Sequence, residues 1–233
     1  MIRLQQRWKN MSEINYDYIN TFIREMIPKK EGILGDIERE ATISDLPIIQ
    51  KEVASLISVL LSIKKPERIL EIGTAVGYSS ILMSNYLQPQ GEIITIERYD
   101  IMQRAAKENF KKSGLENVIT IIEKDAEEVL PSLEGTFDVI FMDAAKGQYN
   151  TFLPHCIRLL NDDGLLIADN VLHKGMIAKS RYDVPRRQRT IHKRMRNFLW
   201  EIMHHPQLNS CILPMGDGVA LCHKKIRKEE QND

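Results

Sequence analysis

Apolar residues fall into two alternating rhythms along this chain. Short apolar runs recur at 68–73, 92–97, 118–123, 137–142 and 165–168. Between them, at about 78–87, 100–113, 126–131 and 148–160, apolar positions repeat every three or four residues. A short run apolar on both sides marks a strand buried on both faces of a parallel sheet; three-to-four spacing marks a helix with one buried face. Their alternation predicts an α/β fold with a doubly wound, mostly parallel sheet. Upstream, Ile14, Tyr18, Phe22, Ile23 and Met26 predict a helix over 13–27 that Pro28 ends. Ile49, Val53, Leu56, Leu60 and Ile63 predict another over about 47–64. Residues 29–44, with Gly32 and Gly35, read as a loop. After a helix at about 186–204, Ile212-Leu213 and Val219-Ala220-Leu221 flank Gly216-Asp217-Gly218, the pattern of a terminal hairpin. Residues 1–10 are polar and read as poorly ordered, and 224–233 read as a charged, frayed tail. Without repeats or linkers, the expectation is one domain over 45–226. An N-terminal helical extension (1–44) precedes it and a charged tail (227–233) follows.

The first strand runs into Arg68-Ile69-Leu70-Glu71-Ile72-Gly73-Thr74-Ala75-Val76-Gly77-Tyr78-Ser79-Ser80. Ile69, Leu70 and Ile72 are the buried strand, Gly73 to Gly77 turn the chain, and Ser79 and Ser80 open the next helix. This arrangement cradles a ligand, because glycine lets backbone come close and a helix N-terminus offers free N–H groups. Glu97 stands twenty residues past Gly77, at the end of the second strand, where an acid can accept two ribose hydroxyls. The unit reads as a nucleoside-binding βαβ. A dinucleotide fingerprint needs G-x-G-x-x-G, and here only Gly73 and Gly77 are glycine, which speaks against an NAD-dependent oxidoreductase.

Charge adds a second feature. Lys+Arg and Asp+Glu both total 32, so net charge excludes nothing. The cations are unevenly placed, however. Lys174, Lys179, Arg181, Arg186, Arg187, Arg189, Lys193, Arg194 and Arg196 crowd 174–196, where Asp183 is the only acid. Such a local field fits a polyanionic substrate. Cys156, Cys211 and Cys222 are scattered, which suits a reducing cytoplasm and argues against a thiolate metal site. No apolar run approaches a membrane span and the N-terminus has no signal-peptide pattern, so no membrane partner is expected. At 233 residues the chain can bury one sizeable core.

Ligands of an open α/β sheet bind beyond the carboxyl ends of its strands. Asp143 follows the 137–142 run, and Asp169-Asn170 follow the 165–168 run. Two carboxylates and an amide are hard oxygen donors, suited to Mg²⁺, Mn²⁺ or Ca²⁺.

Glu71 to Ser80 resembles motif I of S-adenosylmethionine (SAM)-dependent methyltransferases. Over about 45–225 the chain resembles the metal-dependent catechol and caffeoyl-CoA O-methyltransferase family. The resemblance implies a seven-stranded Rossmann-like sheet with an antiparallel last strand, a SAM cofactor and a homodimer. It places the divalent metal on Asp143, Asp169 and Asn170, with Asp143 also beside the SAM. It makes Lys146 the candidate general base, since a partly desolvated lysine has a lowered pKa and can accept a proton. On the cofactor side it places Gly73 and Ser79 of the turn and helix start, Glu97 on the ribose, Asp125 and Ala126 beside the adenine, and the backbone of Ile49 near the SAM carboxylate. The 174–196 stretch and Pro214-Met215-Gly216-Asp217-Gly218-Val219-Ala220 are similar to a bacterial branch that methylates 5-hydroxyuridine at the tRNA wobble position. The vicinal C5 hydroxyl and C4 oxygen of that base resemble a catechol. The expected substrate is therefore tRNA, with a small catechol or catechol-like acyl-CoA second; a catalytically silent SAM-binding RNA module is the rival of another kind.

Overall fold

The computed structural model describes residues 14–44 and 46–226. Three helices, α1 (Asp17–Met26), α2 (Gly32–Ser44) and α3 (Lys51–Lys64), precede the sheet. Strands and helices then alternate as β1 (Arg68–Ile72), α4 (Tyr78–Ser84), β2 (Glu92–Ile96), α5 (Asp100–Lys112), β3 (Ile119–Ile122), α6 (Ala126–Val129), β4 (Phe137–Met142), α7 (Tyr149–Leu159) and β5 (Leu160–Ala168). Three single 3₁₀ turns (Met176–Ala178, Arg181–Asp183, Arg186–Gln188) lead into α8 (Arg189–His204), and β6 (Leu208–Leu213) and β7 (Val219–Lys224) complete the sheet.

The strand order is β3-β2-β1-β4-β5-β7-β6. β1 lies between β2 and β4 and pairs parallel with both. β7 inserts antiparallel between β5 and β6, as expected of the last strand. Successive β1 side chains point to opposite faces. Leu70 and Ile72 join Phe152 and Leu153 of α7 and Phe198 and Ile202 of α8 in one layer of core. Ile69 joins Val53, Ile57 and Leu61 of α3, Leu82 of α4 and Phe110 of α5 in the other. The chain leaves β1 toward β2 on one side and reaches β4 on the other. This switch point opens a crevice at the carboxyl ends of the central strands.

Three expectations need correction. Residues 29–44 are not a loop: Gly32 to Ser44 form α2, with Gly35, Ile37 and Ala41 buried. The glycines were the misleading signal. A Cβ on Gly35 would lie 2.3 Å from the Lys30 carbonyl oxygen, so this glycine serves a close backbone approach inside a packed helix. The fifth strand begins at Leu160 rather than near 165. Leu160 pairs with Phe137 and Leu165 with Val139, so 161–164 bulge out of the ladder. Lys224 is not part of a frayed tail; it is buried in β7, where its ammonium donates to the Ile157 and Leu160 carbonyls at 3.0 and 2.6 Å. Those carbonyls end α7, where a cation is favoured. Residues 1–10 and the 227–233 tail lie outside the described residues.

Candidate active site

A cavity of about 500 Å³ fills the crevice. Ile49, Gly73, Ser79, Glu97, Asp125, Ala126, Asp143, Asp169 and Asn170 all line it, brought together from six separate stretches of chain. Lys146 is not on that wall, although its neighbour Ala145 is.

At the β2 end, the Glu97 carboxylate is fixed by three backbone N–H groups. Ala75 of the glycine turn donates to Oε2 at 3.0 Å, while Arg98 and Tyr99 donate to Oε1 at 2.9 Å each. The turn and the acid are thus one unit, and a carboxylate oxygen has lone pairs left for a ligand hydroxyl. Asp125 caps α6 by accepting from Glu127 N at 2.9 Å, and also accepts from Arg98 at 3.0 Å. The Glu127 hydrogen bond above all holds its carboxyl below the usual range. Ile49 lies on the extended approach to α3 and belongs to the core.

Beneath the glycine turn lies a polar network. Glu71 is fully buried in β1, and Ser79 and Ser80 of α4 each donate to one of its oxygens. Thr95 of β2 donates at 2.6 Å, and Thr74 and Thr95 share a hydrogen bond of 2.6 Å. Burial pushes the Glu71 carboxyl up to about 7; the three hydroxyls oppose this and the Asp143 charge reinforces it. Ser79 therefore has a structural partner while facing the cavity.

At the β4 and β5 ends, a half-buried Asp143 and a buried Asp169 lie close together, with Asn170 Nδ2 donating to Asp143 Oδ1 at 3.0 Å. Burial raises both carboxyls above the usual range, and Asp143 further raises Asp169. Two desolvated carboxylates need a proton or a cation between them. Among the described residues no group of three or more His, Cys, Asp or Glu is arranged to hold a metal ion. The donor set here is two carboxylates and one amide, hard oxygens that fit a divalent cation once Asn170 presents its amide oxygen.

Asn170 adopts φ +62°, a left-handed conformation that asparagine tolerates. Past it, Val171 N donates to Gly218 O and Leu172 N to Asp217 O, both at 2.9 Å, zipping this loop to the β6–β7 turn. Below, the buried Tyr149 hydroxyl donates to Asp169 O at 2.9 Å. Lys146 Nζ lies 2.7 Å from His173 Nδ1. Burial lowers the Lys146 pKa, against the opposing charges of Asp217, Asp143 and Asp169. Burial, then the Lys146 charge, lowers that of His173.

Glu71, His173 and Asp217 went unassigned in the sequence. For Glu71 the signal was present: a charged residue inside an otherwise apolar central strand must have buried partners. His173 and Asp217 carry no comparable signal, because only the pairing of the loop with the hairpin turn brings them to Lys146.

Comparison with known proteins bears on the family and the fold. An O-methyltransferase family model matches residues 29–225. The flavonoid 3',5'-methyltransferase of Vitis vinifera is 30% identical over 201 residues, 80% of this chain and 84% of that protein. A Staphylococcus aureus protein described as a candidate caffeoyl-CoA O-methyltransferase superposes with a TM-score of 0.82 at 29% identity, covering 89% of this chain and all of that one. An SAH-bound methyltransferase from Podospora anserina superposes with a TM-score of 0.78 at 28% identity, covering 90% of this chain and 95% of that one.

Proposed function

This chain belongs to the O-methyltransferase family, and we propose that it transfers the methyl group of SAM to one of two adjacent substrate oxygens, with a divalent cation on Asp143, Asp169 and Asn170 and with 5-hydroxyuridine at the tRNA wobble position as substrate. The observation that carries this reading is the layout of the cavity. Glu97, fixed by the glycine turn, lies at one end, and the two desolvated carboxylates with Asn170 lie at the other. A nucleoside cofactor is held by the first group and a chelating substrate is gathered at the second.

Glu97 accepts the ribose hydroxyls, and Asp125 and Ala126 wall the base. A divalent cation held by Asp143, Asp169 and Asn170 would supply Lewis acidity that lowers the pKa of the substrate hydroxyl, and bound SAM would supply the electrophilic methyl. Lys146, with its lowered pKa, accepts the hydroxyl proton. With SAM bound, the oxygen would form its bond to the methyl carbon as the carbon–sulfur bond breaks. The protein contributes chiefly by positioning the two reactants.

The basic segment supports the RNA substrate. It starts at Lys174, just past Asn170, and its helix is fastened to the Lys146 loop: Arg194 donates to Gly147 O at 3.1 Å, and Asn150 donates to Arg194 O at 2.7 Å. The segment is thereby held against the loop that carries Lys146, next to the cavity, where its cations favour a polyanionic substrate. A small catechol or catechol-like acyl-CoA is the second reading, favoured by the likeness to a flavonoid methyltransferase. Mass spectrometry of tRNA nucleosides from a strain lacking this protein tests the choice. Loss of 5-methoxyuridine with accumulation of 5-hydroxyuridine is expected; unchanged 5-methoxyuridine overturns the tRNA reading.

A further inference from the structure

One exposed feature beside the basic segment has no part in the chemistry above. Trp200 stands 67% exposed on α8. Its indole stacks on the imidazole of His204 one turn later, with ring centroids 3.6 Å apart and planes 22° from parallel. The pair borders a surface groove of about 290 Å³, also lined by Leu199 and by Leu172 and Ile177 of the segment that follows Asn170. Arg196 lines the same groove, held by a hydrogen bond of 3.1 Å to Ile177 O. Earlier in the same basic segment, Arg181, Arg186, Arg187 and Lys193 are exposed and pair with no acid among the described residues. The one acid on α8 is Glu201.

An exposed aromatic pair beside an arginine, on the helix that carries the basic segment, has the composition of a nucleobase platform. Every base has a π-face to stack, and neighbouring arginines neutralise its phosphates. The groove is lined by Leu172, two residues past Asn170, so it adjoins the segment that follows the strand end with the acid–amide pair. On the basis of the RNA reading given above, we propose that Trp200, backed by His204, stacks a nucleobase adjoining the one that is methylated, with Arg196 facing the backbone between them.

The chain has two tryptophans, so a Trp8→Phe variant reports on Trp200 alone. Titration with an anticodon stem-loop RNA should quench its fluorescence. Trp200→Ala should weaken RNA binding about tenfold, and by the same factor at low and high salt, because stacking releases no counterions. Trp200→Phe should keep most of the affinity, and unchanged SAM affinity shows that each variant is folded. Arg186→Ala with Arg187→Ala should instead flatten the salt dependence. If the arginine variant weakens binding and Trp200→Ala does not, the platform is wrong and the RNA reading stands. If neither weakens binding, the RNA reading fails and takes the platform with it. Conversion of a dimer to a monomer by Trp200→Ala, seen by light scattering, would make the groove a subunit interface and overturn the proposal.

Discussion

A Cβ on Gly73 would lie 2.1 Å from the carbonyl oxygen of Asp143, and Gly73 has φ +103°. The glycine at the end of β1 therefore serves a contact with the protein's own backbone: it lets the β4 end carrying Asp143 come alongside. Gly73→Ala should force the two strand ends apart and impose a strained backbone, destabilising the fold by about 3 kcal/mol. Chemical denaturation checks this, and the variant should lose methyl transfer even at temperatures where it stays folded.

Glu97→Ala removes the acceptor for three backbone N–H groups as well as the proposed ribose acceptor. SAM affinity should fall by about 1.5–3 kcal/mol, measured by calorimetry. Unchanged affinity would remove Glu97 from the cofactor site.

Glu71 gives a signed pH dependence. Its folded pKa is raised to about 7, against about 4 for an unfolded carboxyl. The folded state binds this proton more tightly, so the stabilisation is fully present below the unfolded pKa and is lost as pH rises through about 7. Asp143 and Asp169 act in the same direction without metal. Thermal melts of metal-free protein should therefore show stability declining from acid toward neutral pH. Glu71→Gln should flatten that decline, and Mg²⁺ should restore stability at the alkaline end.

On the proposed mechanism Lys146 separates chemistry from cofactor binding, because it is off the cavity wall. Lys146→Ala should reduce methyl transfer roughly 10²–10⁴-fold while leaving SAM affinity intact. Lys146→Arg should be equally inactive, since guanidinium does not release its proton at working pH. A Lys146→Arg variant with normal rates would assign the proton to another group.

Much of the fold could be read because each buried strand announces itself. Ile93-Ile94-Thr95-Ile96 and Val139-Ile140-Phe141-Met142 are too short and too continuously apolar for amphipathic helices. The acids after those runs could be read because the carboxyl ends of such strands are where ligands bind. What escaped notice depends on tertiary contacts. Gly35 looks like a loop residue until Lys30 is seen against it, and Lys224 looks like a tail residue until the end of α7 is seen beneath it. Asp217 reaches the site only through the pairing of its turn with the loop after Asn170.

The most direct test of the central claim is methyl transfer from labelled SAM to tRNA bearing 5-hydroxyuridine, read by mass spectrometry of the nucleosides, with and without EDTA and with Asp169→Ala in parallel. The wild type should convert 5-hydroxyuridine to 5-methoxyuridine, lose this activity in EDTA and regain it with Mg²⁺ or Mn²⁺, while Asp169→Ala stays folded and inactive. Full conversion under thorough chelation would contradict the cation on Asp143, Asp169 and Asn170. Absence of 5-methoxyuridine, alongside ready methylation of a soluble catechol, would contradict the tRNA substrate.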